Sequence, residues 1–424
     1  MISLQATQQQ LAALFRHKGL FSNLSWMLLA EVAARLSRLV TVVCLGAYLT
    51  PVQYGTAMLA IVCNDLLRVF TRIGTGAKVI QCTSQQLPAF AGNAVTLQWA
   101  VCISLTVVQL FTAEMAANYY QNPQLVLPLQ LMALCNLLYP LVTIRVFLLQ
   151  RDNNMRYFAM ATAITIIIEN LGTALLVICG LGVMAVAYAK VAAALAWVVL
   201  FAWARVAHYP ATFNRNCMRQ LLGYSSKILT SELTKTLRLQ IDTLFAAKIL
   251  SPDLFGLYSF AKSAGVGLSQ SLSNSYLSSL YPYLTQQQRH NALPASINKA
   301  YLIAAAISVI FMVQALLAPL YIELLFGQRW HDAASLMAIL CLSAIPILFI
   351  DVTATIMRAK DQVSTEVMLS LYSLLVLATA LMMLNTDIAQ TLAMTVAISN
   401  MAVLITVMIF RGIKRGITRR DGGS

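Results

Sequence analysis

Residues 299–323 read KAYLIAAAISVIFMVQALLAPLYIE. Between Lys299 and Glu323 there is no charged side chain, and about 20 consecutive apolar residues are what an α-helix needs to cross the ~30 Å hydrocarbon core of a bilayer. Comparable stretches recur along the 424 residues at 23–49, 55–77, 92–113, 123–148, 157–179, 182–205, 222–248, 256–283, 333–357, 365–385 and 389–411. The expectation is an all-α, polytopic membrane protein of about twelve transmembrane helices.

Composition points the same way. With 59% hydrophobic and 10% charged residues and a mean hydropathy of +0.73, the chain lacks the polar surface of a water-soluble domain. The first twenty residues lack the charged start, apolar middle and small-residue cleavage site of a secretory leader, so no cleaved segment is expected. Leu11, Leu14 and Phe15 beside Arg16 and Lys18 suit either a short interfacial helix or a frayed end.

A net charge of +14 would point to nucleic acid in a soluble protein, but here the charges follow the bias of cytoplasmic loops towards Lys and Arg. Taking every second connection, Arg72 and Lys78, Arg151 and Arg156, Arg205, Arg215 and Arg219, Arg289 and Lys299, and Arg358 and Lys360 fall on one side. They are joined by Arg16, Lys18 and the tail Arg411, Lys414, Arg415, Arg419 and Arg420. Both termini are therefore expected in the cytoplasm, and no nucleic-acid partner is implied. The opposite connections are short, among them TPVQY, CGLG, LSPDLF and NTD, and leave no room for an outer catalytic domain. The reading is of a transporter, not an enzyme.

Two halves echo each other. Leu49-Thr50-Pro51-Val52-Gln53-Tyr54-Gly55 returns as Leu250-Ser251-Pro252-Asp253-Leu254-Phe255-Gly256, and at the same offset Glu31 maps onto Glu232. Arg35 and Arg38 map onto Lys235 and Arg238 with a slip of one residue. Internal repeats of this size build many transporters. The expected organisation is two pseudo-symmetric six-helix lobes, 1–205 and 222–424, joined by a cytoplasmic linker at 206–221.

Charges inside the spans mark candidate sites, because a charge at mid-membrane costs about 2.5–3.5 kcal/mol unless it faces a partner or a watery cavity. Glu31, Arg35 and Arg38 share a face of the first span; Asp65 and Arg68 lie in the second; Glu232, Lys235, Arg238 and Asp242 lie in the seventh; Lys262 precedes a Ser-rich run in the eighth. The cations, Arg35, Arg38, Arg68, Lys235, Arg238 and Lys262, are candidate ligands for an anion, and the planar arginine fork suits phosphate. The acids Glu31, Asp65, Glu169, Glu232 and Asp242 are candidates for ion or proton coupling. The competing reading is structural: Glu31 with Arg35, Asp65 with Arg68, and Asp242 with Arg238 as ion pairs within the bundle. Eight scattered cysteines and four dispersed histidines show no ligand spacing, and the segment 74–78 lacks the spacing of a phosphate-binding loop, so no metal, cofactor, catalytic residue or nucleotide is expected.

Several stretches resemble bacterial polysaccharide flippases of the Wzx type: LGAYLTPVQYGTAMLAIVCNDLLRVFTRIGTGAKVIQ at 45–81, LLQRDNNMRY at 148–157, SPDLFGLYSFAKSAG and YPYL within 242–284, and LFGQRW at 325–330. The resemblance implies a member of the multidrug, oligosaccharidyl-lipid and polysaccharide exporter superfamily, with two lobes around a cationic central cavity that opens to each side in turn. It implies an inner-membrane location and an undecaprenyl-diphosphate-linked oligosaccharide as substrate, for O-antigen, capsule or exopolysaccharide. Polysaccharide polymerase and chain-length proteins are the implied partners. By position, Arg35 and Arg38 are similar to the arginines that hold the diphosphate in such relatives. The rival readings are a drug or organic-cation antiporter of the same superfamily and a membrane polysaccharide polymerase or ligase.

Overall fold

The structure is a computed structural model that describes residues 18–421 apart from 73, 74, 153, 205, 208, 290–292, 361 and 385–387. The interfacial helix expected from Leu11, Leu14 and Phe15 lies outside the described residues. So do the side chains of Glu31 and of the basic tail Arg411 to Arg420.

All regular structure among the described residues is helical: α1 (Lys18–Tyr48), α2 (Pro51–Arg68), α3 (Thr75–Gln81), α4 (Leu87–Tyr119), α5 (Val126–Leu138), α6 (Thr143–Arg151), α7 (Met155–Ile178), α8 (Met184–Ala202), α9 (Arg215–Ile249), α10 (Pro252–Ala261), α11 (Gly267–Arg289), α12 (Leu293–Phe326), α13 (Ala333–Ala359), α14 (Val363–Met382) and α15 (Ala389–Asp421). Among the described residues eight helices are long and apolar enough to cross a membrane, and they stand at eight of the expected positions, from Leu87–Tyr119 to Ala389–Phe410. The other four expected positions hold the polar helices α1, α2, α9 and α10 with α11. Helix α9 alone includes Arg215, Arg219, Glu232, Lys235, Arg238, Asp242 and Lys248. On α12, Leu316, Leu320 and Leu324 are 73%, 69% and 84% exposed along one face. Such a stripe is stable against lipid and not against water.

The chain forms two compact units that interleave along the sequence. The first comprises Met1–Thr41, Phe70–Thr112 and Leu127–Leu229; the second comprises Val42–Val69, Ala113–Val126 and Thr230–Ser424. Residues 42–69 thus pack with the second half of the chain.

In the first unit, polar side chains join the helices to one another. Thr41 Oγ1 donates to the Asn170 carbonyl at 2.8 Å and Asn170 Nδ2 to Ser37 Oγ at 2.9 Å, tying α1 to α7. Gln109 of α4 accepts from Asn136 Nδ2 at 3.1 Å and donates to the Leu129 carbonyl at 3.0 Å. Arg151 donates to the carbonyls of Val79, Ile80 and Cys82 at 2.8, 3.1 and 2.7 Å. It therefore caps the C-terminal end of α3, where unpaired carbonyls attract a cation. Residues 212–214 are tied to α4 as well: Thr96 Oγ1 donates to the Thr212 carbonyl at 2.7 Å, and the Asn214 amide to Asn93 Oδ1 at 2.6 Å.

In the second unit, the repeated motif proves to be a helix start used twice. Thr50 caps α2, exchanging hydrogen bonds with Gln53 at 3.2 and 3.3 Å, and Ser251 caps α10 by accepting from the Leu254 amide at 3.4 Å. Proline follows at the first helical position in both, where its missing N–H costs nothing. The two equivalent glycines then meet. A Cβ on Gly256 would lie 2.0 Å from the Pro51 carbonyl oxygen, and one on Gly55 would lie 2.8 Å from the Phe255 ring and 3.1 Å from Gly256 Cα. Beside this crossing Trp330, wholly buried, stacks on Phe260 at 4.1 Å, and Tyr54 meets both rings edge-on at 5.5 Å. The Trp330 indole N–H donates to the Gly46 carbonyl at 2.8 Å.

Because backbone and not a flexible side chain faces Gly256, Gly256→Ala must push α2 and α10 apart. It should destabilise the protein by about 1–3 kcal/mol, the usual cost of overpacking. Thermal unfolding in detergent checks this: Gly223→Ala, with open space around its Cα, should leave the midpoint unchanged.

Candidate functional site

Four charged side chains of the second unit gather where α9 faces α10, α13 and a widened turn. A single π turn, Lys262–Val266, interrupts the helix between α10 and α11. Such turns are rare and frequent at functional sites. Gln314 of α12 braces this one, donating to the Gly265 carbonyl at 3.2 Å and accepting from Ser269 Oγ at 3.0 Å.

Lys262 opens the turn. Its ammonium donates to Asp242 Oδ1 at 2.7 Å, to Thr243 Oγ1 at 2.7 Å and to the Leu239 carbonyl at 2.8 Å. The other oxygen of Asp242 accepts from the buried Tyr258 hydroxyl at 2.7 Å. One helical turn earlier, Arg238 Nη2 pairs with Asp351 Oδ1 of α13. Arg238 and Asp242 are 8% and 4% exposed. The four charges sum to zero.

Next to them lies a cavity of about 40 Å³, lined by Arg238, Asp242, Lys262, Gln270, Ser343 and Asn400 together with apolar residues of α13, α14 and α15. It has room for a few water-sized molecules. The buried Arg238 Nε has no protein partner, and a buried donor left open beside a polar cavity is where a water or a ligand atom is stable.

The sequence pairing of Asp242 with Arg238 is therefore corrected. Both are buried, but Asp242 takes Lys262 and Arg238 takes Asp351, because the π turn and α13 bring stronger geometry than the same helix offers. In the first unit Glu169 pairs with Lys190 of α8 at 3.2 Å. Arg35, Asp65 and Arg68 are half-buried and engaged by neighbours, and Glu232 is half-buried. Arg38 and Lys235 are exposed, and among the described residues neither belongs to an ion pair. On α1 the packed face is Ala34, Ser37 and Thr41, the apolar exposed face Val32, Leu36, Leu39, Val40 and Val43. Arg35 and Arg38 lie on the flank between these two faces.

Residues 45–335 match the family described as "Polysaccharide biosynthesis protein", more than half of the chain. The chain belongs to this family. Its fold is that of the MOP superfamily. An inward-facing multidrug-resistance MATE-family transporter has a TM-score of 0.72 at 12% identity, covering 92% of this chain and 96% of its own. The lipid II flippase MurJ in an inward closed conformation has a TM-score of 0.73 at 12% identity, covering 91% and 87%. A MOP superfamily transporter from Pyrococcus furiosus has a TM-score of 0.54 at 13% identity, covering 93% and 92%. No curated protein is a significant match.

Sequence reasoning passed over Asp351, Tyr258 and Lys190. Asp351 carried the same signal as the residues that were singled out, a charge within an apolar span. Lys190, a charge inside the span expected at 182–205, carried that signal too, whereas Tyr258 is recognisable only by its partner.

Removing one member of a buried pair leaves an uncompensated charge, so Asp351→Ala should cost about 3–5 kcal/mol. The double variant Arg238→Met with Asp351→Ala should recover most of that. A double-mutant cycle on thermal midpoints in detergent checks the coupling.

Proposed function

We propose that this chain is a flippase that moves an undecaprenyl-diphosphate-linked oligosaccharide repeat unit across the bacterial inner membrane, by alternating access, for a surface polysaccharide. Membership of residues 45–335 in the polysaccharide biosynthesis family carries this reading. A sugar chain built in the cytoplasm on a lipid must cross the bilayer before it can be assembled outside, and a multi-pass protein without an outer domain suits that step. The reading takes the chain as twelve spans with cytoplasmic termini, in lobes 1–205 and 222–424 joined at 206–221. The four polar helices cross because their charges face protein or water instead of lipid.

The diphosphate is assigned to Arg35, Arg38, Arg68 and Lys235. Support comes from Arg38 and Lys235, which are exposed and, among the described residues, in no ion pair, so their donors are open to an incoming anion. Arg238 and Lys262 are already paired with Asp351 and Asp242, and the buried Arg238 Nε has no protein partner. Coupling, where it needs an acid, falls to Glu31, Asp65 or Glu232, since Glu169 and Asp242 each hold a lysine.

The equal likeness to a multidrug transporter favours one second reading, an organic-cation antiporter. The two differ in cargo charge. In a strain lacking this chain, lipid-linked oligosaccharide should accumulate on the cytoplasmic leaflet, out of reach of a sugar-modifying enzyme added from the periplasmic side. Accumulation exposed outside would move the role to a polymerase or ligase step, and no accumulation with new sensitivity to cationic dyes would support the antiporter. Arg38→Ala and Lys235→Ala should each remove a charge-assisted contact of about 1.5–3 kcal/mol, lowering the flipping rate about ten- to hundred-fold at unchanged membrane level.

A further inference from the structure

The oxygen set around Lys262 Nζ is that of an ion site with an ammonium in it. A carboxylate (Asp242), a backbone carbonyl (Leu239) and a hydroxyl (Thr243) converge at 2.7–2.8 Å on one cation. These are hard oxygen donors, one of them charged, of the kind alkali cations take. An alkylammonium donates three hydrogen bonds and accepts none, and here all three are used. Tyr258 completes the site by donating to the second carboxylate oxygen, which leaves Asp242 needing one positive charge and no more. The side chain of Asp242 is 6% exposed and that of Lys262 19%, so this charge is held where water solvates it poorly.

From this we infer that Lys262 is a tethered counter-cation. It occupies the position that a free sodium or potassium ion would take at Asp242, so the intact protein binds no free monovalent cation there. The π turn is what makes the substitution possible. It starts at Lys262, and Gln314 braces its Gly265 carbonyl, so the lysine is delivered to α9 by a fixed piece of backbone. The inference goes beyond the proposed flippase activity and stands whichever cargo is carried. It makes a specific statement about ions: a sodium or potassium gradient cannot act through Asp242 while Lys262 is in place.

Removing the amine should convert the site. In Lys262→Ala the carboxylate, carbonyl and hydroxyl remain, with the adjoining cavity of about 40 Å³ to admit an ion, and a buried carboxylate without a counter-charge is strongly unfavourable. A ligand that binds only the folded protein raises its stability in proportion to the logarithm of ligand concentration.

The experiment uses the full chain purified in detergent. Thermal midpoints are measured in equal concentrations of sodium chloride, potassium chloride and choline chloride, together with binding of radioactive sodium and rubidium. Expected results are that wild type and Asp242→Asn respond alike to the three salts, that Lys262→Ala is stabilised by sodium or potassium over choline and gains one bound ion, and that Lys262→Ala with Asp242→Asn loses both. Lys262→Arg should behave as wild type. A sodium- or potassium-specific stabilisation of wild type that disappears in Asp242→Asn would overturn the inference, because a free ion would then share the site with the lysine. A folded Lys262→Ala protein indifferent to all three salts would overturn it as well. Should Lys262→Ala not fold, the comparison of wild type with Asp242→Asn decides by itself.

Discussion

The crossing of α2 and α10 at Gly55 and Gly256 is the constraint on which the second unit depends. Neither glycine can carry a Cβ without meeting the other helix, and the Pro51 carbonyl is the nearest obstacle. Lipid supplies no hydrophobic drive to press two helices together, so close approach through small residues has to come from packing itself. Here the approach is secured by what surrounds it: Tyr54, Phe260 and Trp330 in mutual ring contact, and the Trp330 N–H on the Gly46 carbonyl. That cluster joins residues separated by most of the chain and holds the segment 42–69 in the second unit. The repeated motif is thus not only a relic of two similar halves; each copy is the contact surface for the other.

The second constraint is that a charge in the bilayer needs a partner close by. In the described residues this is met across helices more than along them. Arg238 reaches α13, Lys262 reaches α9 from the π turn, and Lys190 of α8 reaches Glu169 of α7. Cross-helix pairs fix helix rotation as well as charge, since each one is satisfied at a single register. The positive charge left over is concentrated on exposed residues such as Arg38 and Lys235.

The family and the fold bear on function in different ways. Membership in the polysaccharide biosynthesis family narrows the biology, whereas the MOP-superfamily likeness, at 12–13% identity, concerns only how the chain is folded. One fold serves a lipid II flippase and multidrug transporters alike, so the fold by itself does not name a cargo. In this chain most of the charges singled out within spans lie on α1, α2, α9 and the helix broken at Lys262, at the four expected positions outside the eight apolar spans.

Much of this was legible in the sequence because it rests on one-dimensional signals. Hydrophobic length determined the membrane and the basic bias determined the expected orientation, whereas TPVQY and LSPDLF read as short connections and only the structure shows two capped helices starting at Pro51 and Pro252. The polar face of residues 232–242 was visible from helical spacing alone. What spacing could not determine was who pairs with whom. Asp242 and Arg238 are neighbours on one helix, yet a partner from another helix wins when it arrives along a better line, as Lys262 does from a π turn that no periodicity announces. Asp351 was unreadable as a partner for the same reason: pairing depends on the rotation of α13 against α9, and only tertiary packing sets that rotation. The sequence by itself determined which helices are polar; the tertiary structure decided which of their charges are spent on one another, because contact distance in a bundle is a property of packing and not of order along the chain.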